Sequence, residues 1–110
     1  MKNRIKNFCK NWEYFLVKEF KNNKKMQDLQ YFNYCLGQKE LSIKIRSLLN
    51  NIEEKDIIPK LQEIRKDYKE KSQKIEKAEQ DYYVGGGNFI GYIFQDLQKG
   101  GFVKDVYELL

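Results

Sequence analysis

The sequence predicts an all-α fold: a single small helical domain of about five to six helices, with one long helix over about residues 57–83 and a glycine-hinged C-terminal helical pair. Apolar residues recur at spacings of three and four along most of the chain, as they do in amphipathic helices. The 110 residues are enough for one core and too few for two. With 41% apolar and 15% aromatic residues, the chain is also too apolar to be disordered. We therefore expect residues 1–110 to form one domain.

The first predicted helix runs from Lys2 to about Asn22. Asn22 and Asn23 compete with helical backbone hydrogen bonds and so predict a break after it. The apolar residues of this helix form one stripe: Ile5, Phe8, Cys9, Trp12, Phe15, Leu16 and Phe20.

Two shorter helices are predicted next, over 25–36 and 39–55, separated by Gly37 as a left-handed C-terminal cap. Within the second of these, residues 41–46 also alternate with a period of two, as an edge strand would. A lone strand without partners is unstable, so the helix is the favoured interpretation.

The long helix is predicted to follow, with Asp56 as its N-cap and Pro59 in its first turn. Along it runs a heptad seam with one charged interruption, Lys71. Its members are Leu61, Ile64, Tyr68, Lys71, Ile75, Ala78 and Tyr82. Few apolar residues lie off this seam. We therefore expect the helix to project from the body and to offer a homodimer interface through residues 61–82.

The segment Val84–Asn88 predicts a loop, because each of its three glycines costs a helix about 1 kcal/mol relative to alanine. Asn88 can cap a helix that ends at Gly100 and Gly101, and 102–110 forms a final helix. This loop would be the hinge of the C-terminal pair. Its glycines match neither the Walker nor the Rossmann phosphate-binding pattern.

The chain contains no histidine, which excludes Ser-His-Asp and Cys-His catalysis and the common histidine-based zinc sites. Cys9 and Cys35 have apolar neighbours, so we expect two buried free thiols rather than a disulfide. Hydrolysis by carboxylates with a divalent ion is the remaining enzymatic alternative, but most acidic residues lie on one charged, solvated helix. The sequence thus predicts a non-enzymatic protein with no cofactor, no metal and no small-molecule substrate.

The first residues lack the apolar segment of a signal peptide. The longest uncharged stretch, residues 82–95, is too short and too rich in glycine to span a membrane. We therefore expect a cytoplasmic protein that does not associate with membranes. Abundant Lys, Asn and Ile with a single alanine indicate an AT-rich coding sequence, typical of a low-GC bacterium or of a phage or mobile element in one.

The net charge of +5 is concentrated at the N-terminus, where residues 1–25 contain eight basic and two acidic residues. Such a helix could meet phosphates, which dominate non-specific affinity for nucleic acids. The alternative function is therefore DNA or RNA binding through these residues: Lys2, Arg4, Lys6, Lys10, Lys18, Lys21, Lys24 and Lys25. Because an AT-rich coding sequence also enriches lysine, this signal is discounted.

Aromatic residues are dense around the triple glycine, a composition common at protein interfaces. The leading hypothesis is a protein–protein interaction module that binds and inhibits or adapts a larger protein or nucleoprotein complex. An inhibitor of a host nuclease or defence system, carried by a phage or mobile element, is its concrete form. The expected partner-binding residues are Tyr82, Tyr83, Gly85, Gly86, Gly87, Asn88 and Phe89.

Overall fold

A computed structural model describes residues 1–109 and forms five helices and no strand within them. The all-α prediction is therefore confirmed. The globule measures 40 × 30 × 25 Å. The helices are α1 (Lys2–Phe20), α2 (Asn23–Met26), α3 (Leu29–Leu48), α4 (Glu54–Lys74) and α5 (Lys77–Lys99).

Helix α5 is the centre of the fold. Its most extensive contact is with α3, while α4 packs against another side of α5 and α1 packs mainly against α3. Every helix except the four-residue α2 contributes buried side chains. The core includes Ile5, Cys9, Leu41, Ile45, Leu49, Ile57, Leu61, Phe89, Ile90, Ile93, Phe94 and Leu97.

Helix α1 runs close to the predicted bounds, and Ile5, Cys9 and Leu16 of its predicted stripe are buried. Asn22 ends this region, as expected, by accepting a hydrogen bond from the backbone N–H of Lys25 at the start of α2. The indole N–H of Trp12 donates to Gln38 Oε1 at 3.0 Å and so joins α1 to α3. Phe15 is the exception in the stripe, since it is 44% exposed.

The predicted break at Gly37 is wrong. Residues 29–48 form one continuous helix, and the helical interpretation of 41–46 is confirmed. Gly37 is buried in the middle of α3 rather than at its end. A Cβ added here would collide with the Tyr82 backbone of α5, with the carbonyl carbon 2.8 Å away. The glycine is needed for a close helix–helix contact, not for a turn.

The predicted long helix over 57–83 is also wrong. Helix α4 ends at Lys74, Ile75 adopts an extended conformation (φ −110°, ψ 152°), and α5 begins at Lys77. The chain therefore reverses within two residues and packs α4 against α5. This reversal buries Leu61 and Tyr68 within the same chain, which removes apolar surface from water. The heptad seam is split between two helices, and the homodimer stays a prediction.

The predicted glycine hinge lies inside α5, so no loop separates 84–88 from its neighbours. Gly85 packs against the backbone of Tyr34 in α3, whose carbonyl carbon would lie 2.9 Å from an added Cβ. Gly86 packs against the ring of Tyr68. Close packing of α5 against α3 and α4 offsets the low helix propensity of these glycines.

The ends of α4 and α5 differ partly from prediction. Helix α5 ends at Gly100 and Gly101 as expected: Gly101 has φ +78°, and Phe102 N–H donates to the Leu97 carbonyl at 2.9 Å. These features form a Schellman cap.

The predicted helix over 102–110 is wrong, because 102–109 forms turns that bury Val106. Leu110 lies outside the described residues. Helix α4 begins before Asp56, so Pro59 lies beyond the first turn.

The prediction of free, buried thiols is confirmed for Cys9 and Cys35. Burial raises the pKa of Cys9 to about 11, and the neighbouring Ser42 side chain opposes this rise. Desolvation also raises the pKa of Cys35. Both thiols therefore favour the neutral form.

The glycine contacts predict opposite effects for similar substitutions. Gly37→Ala and Gly85→Ala force a methyl group against backbone atoms and should each lower the free energy of unfolding by about 2 kcal/mol or more. Gly87→Ala is the matched control, since no atom lies within 4 Å of its added Cβ. It should stabilise the helix by about 0.5–1 kcal/mol. Urea denaturation measures all three. A Gly85→Ala variant as stable as the wild type would contradict the close contact.

The thiol at Cys9 predicts a loss of stability in alkali. Its folded pKa of about 11 exceeds its unfolded value, so the neutral thiol contributes fully to the free energy of unfolding below pH 8. That contribution is lost as the pH rises from 9 to about 11. Urea denaturation from pH 7 to 11 should show this decline. In Cys9→Ala the decline should be shallower by up to about 1.4 kcal/mol per pH unit. An unchanged slope in that variant would contradict the assignment.

Candidate anion-binding groove between α4 and α5

The seven residues predicted to bind a partner do not share one surface. Phe89 is fully buried in the core, and Gly85 and Gly86 are buried against neighbouring helices. Tyr82 is half-buried and donates from its hydroxyl to the carboxylate of Glu40. The remaining three line a surface groove: Tyr83, Gly87 and Asn88.

This groove has a volume of about 630 Å³ and lies between α4 and α5. Each wall is a stripe of residues at helical spacing, so the side chains of each stripe face the same side of their helix. The α4 wall consists of Gln62, Arg65, Lys66, Lys69 and Ser72. The α5 wall consists of Tyr83, Val84, Gly87 and Asn88, and Leu109 completes the lining.

Arg65 is held in place but has no anionic partner among residues 1–109. Its Nε donates to the backbone carbonyl of Gly87 at 3.2 Å, which fixes the guanidinium against α5. Partial burial lowers the pKa of Arg65, which shows the cost of desolvating its charge. None of the ion pairs among residues 1–109 involves Arg65, and its terminal nitrogens Nη1 and Nη2 make no hydrogen bond to them.

The other two arginines are neutralised within the chain. Arg4 Nε lies 2.9 Å from a carboxylate oxygen of Asp96, and Nη2 bonds the second oxygen. Arg46 makes a similar two-bond contact with Glu13, at 2.6 and 2.7 Å. These pairs join α1 to α5 and α1 to α3, so they have a structural role. Arg65 is the exception among the three.

Lys66 and Lys69 add two further uncompensated charges to the α4 wall. Neither forms an ion pair with residues 1–109, whereas Lys71 on the same helix pairs with Asp67 at 3.1 Å. Like charges one helical turn apart repel each other. The α4 wall is therefore a row of three cations that a bound anion would stabilise.

Gly87 leaves the opposite wall open. A Cβ added to Gly87 would meet no atom within 4 Å, so packing does not require glycine here. Gly37 and Gly85, by contrast, lie against backbone atoms. The missing side chain at Gly87 leaves that part of the α5 wall open, whereas the glycine nearest to the Arg65 guanidinium is Gly91, whose added Cβ would lie 3.5 Å from Nη2.

Half of the eight cations of the alternative nucleic-acid site already make contacts within the chain. Arg4 and Lys25 are paired with Asp96 and Glu19. Lys6 donates to Asn50 Oδ1 at 2.7 Å, and Lys18 lies 4.6 Å from the ring of Tyr14. The remaining four form no ion pair within the described chain: Lys2, Lys10, Lys21 and Lys24.

Residues 1–109 lack both a cluster of metal-ligating residues and a helix suited to crossing a membrane. Residues 1–109 contain no group of three or more His, Cys, Asp or Glu residues placed to hold a metal ion. None of their helices combines the length and the apolar character that a membrane crossing requires.

The sequence interpretation missed the α4 wall. It treated the charges of that segment as a solvated surface, because their pairing within the folded chain is not visible in sequence. Two signals were present: Arg65 is one of only three arginines, and residues 62, 65, 66, 69 and 72 share one helical face.

The contrast between the arginines predicts their contributions to stability. Arg46→Met strands the carboxylate of Glu13, which is mostly buried, and should cost about 1–3 kcal/mol. Arg65→Met removes a charge without an anionic partner, and the Gly87 carbonyl keeps its helical hydrogen bond. This change should alter stability by less than about 0.5 kcal/mol. Urea denaturation compares the two; equal losses would mean that Arg65 has a structural role.

No protein family, curated protein or solved structure matches this chain.

Proposed function

We propose that this chain is a cytoplasmic, non-enzymatic binding protein that inhibits or adapts a larger protein or nucleoprotein complex, and that the α4–α5 groove is its docking site. The observation that carries the proposal is the uncompensated row of Arg65, Lys66 and Lys69. Proteins tolerate such repulsion and desolvation where a ligand relieves them.

A protein partner is favoured by the mixed character of the groove. Its α4 wall is cationic, whereas Tyr83, Val84 and Leu109 supply aromatic and aliphatic surface. An acidic segment of a partner that also carries an apolar side chain would match both parts. Arginine and tyrosine are also the residue types that most often dominate binding energy at protein interfaces.

Binding rather than catalysis is favoured by the groups in the groove. Ser72 is its only hydroxyl besides that of Tyr83, and Ser72 Oγ donates to the backbone carbonyl of Lys69 at 2.7 Å. The chain has no histidine to activate such a group. A phage or mobile-element inhibitor of a host nuclease or defence complex is the concrete form of the proposal, and its support is the AT-rich composition alone.

Nucleic-acid binding through α1 is the second candidate function. Lys10 and Lys21 lie on one exposed stripe with Tyr14, which is 66% exposed. Lysines beside an exposed aromatic ring suit a single strand, because phosphates meet the cations and a base can stack on the ring. On this surface Arg4 and Lys25 are already neutralised, and the other six cations form no ion pair with residues 1–109.

Affinity capture from cells of the source organism tests the proposal. The bait is the full chain, the groove variant is Arg65→Ala/Lys69→Ala, and the charge-matched control is Lys10→Ala/Lys21→Ala. The wild type and the control should retain the same protein in a fixed stoichiometry. The groove variant should retain at least about tenfold less, as expected when a central contact is lost.

Two outcomes would contradict this proposal. Capture that is unaffected by the groove variant would remove the groove from the binding surface. Recovery of nucleic acid instead, lost in the Lys10→Ala/Lys21→Ala variant and weakened steeply between 50 and 200 mM salt, would favour the second candidate.

A further inference from the structure

We infer that the α4 wall of the groove is a binding site for a phosphate monoester, borne by a side chain of the partner and centred on Arg65. The inference rests on the proposed use of the groove as a docking site. It names the chemical group that the groove recognises.

The charge of the site favours a phosphate over a carboxylate. Arg65, Lys66 and Lys69 present three positive charges, and residues 1–109 neutralise none of them by an ion pair. A phosphate monoester carries a charge of about −1.5 to −2 at pH 7 and has three acceptor oxygens. A carboxylate carries one charge and two oxygens, so it would leave part of the row unmatched.

The geometry of Arg65 favours the same group. Its Nε donates to the Gly87 carbonyl, which fixes the plane of the guanidinium. Nη1 and Nη2 have no hydrogen-bond partner among residues 1–109, and Nη2 lies beside Gly91 of α5. A guanidinium oriented in advance loses less entropy when it forms the paired hydrogen bonds that phosphate accepts. Lys69 follows one helical turn later and supplies a second cation on the same face.

Neighbouring carboxylates do not occupy the site. Asp67 pairs with Lys71 and Glu63 pairs with Lys60, and neither carboxylate lines the groove. Glu70 is exposed and does not line it either. Among residues 1–109, the groove lining would therefore offer an anion cations and neutral groups only.

The rest of the groove would accommodate what carries the phosphate. Gly87 leaves its part of the α5 wall without a side chain, and Tyr83 and Val84 continue the same wall with aromatic and aliphatic surface.

Titration of the full chain with phenyl phosphate, followed by NMR at the Arg65 Nε–H and the Gly87 amide, tests the inference. Phenyl phosphate imitates a phosphorylated side chain, and benzoate is the matched carboxylate probe. Saturable shifts should be centred on Arg65 and Gly87, with an affinity at least tenfold higher for phenyl phosphate than for benzoate.

Three variants sharpen the test. Arg65→Met should abolish the saturable shifts, and Gly87→Ala should leave binding at Arg65 nearly unchanged, since its added Cβ lies more than 4 Å from the guanidinium. Lys10→Ala/Lys21→Ala should bind as the wild type does.

Equal affinity for benzoate, or shifts spread over all surface lysines, would overturn the inference. Tighter binding of AMP than of phenyl phosphate would overturn the assignment to a phosphorylated side chain. Phosphate binding without any groove-dependent capture would contradict the proposed function alone. Groove-dependent capture without preference for phosphate would contradict this inference alone.

Discussion

The close approach of α3 and α5 is the constraint on which the rest of the structure depends. Gly37 of α3 lies against the backbone of Tyr82, and Gly85 of α5 lies against the backbone of Tyr34. The contact is reciprocal, since each glycine follows its own helix's tyrosine by three residues. Two helices in such close contact gain dispersion energy along their backbones, which offsets the low helix propensity of glycine. With α5 fixed in this way, α4 packs against another side of it and the groove forms between them.

The groove shows a different balance of forces from the core. Arg4 and Arg46 join helices through carboxylates, whereas Arg65 is held by one carbonyl and left without an anion among residues 1–109. Three like charges on one wall repel each other. A bound anion, as proposed above, would relieve that repulsion.

The sequence predicted what depends on local periodicity and missed what depends on contacts between distant residues. The stripe of α1, the Asn22 break and the buried thiols at Cys9 and Cys35 follow from local pattern. The glycines at 37 and 85 were mistaken for breaks, because only the opposite helix shows why glycine is needed. The groove was missed for the same reason. Whether a basic side chain is paired depends on which carboxylates the fold brings near it.

Amide hydrogen exchange along 84–90 tests the central claim most directly. If this segment is the interior of α5 and packs against α3, its amides should exchange only through global or near-global unfolding, as slowly as those of Ile93 and Phe94 in the same helix. Rapid exchange at Gly85, Gly86 and Gly87 between two protected segments would indicate a glycine loop. It would contradict both the α3–α5 contact and the groove that depends on it.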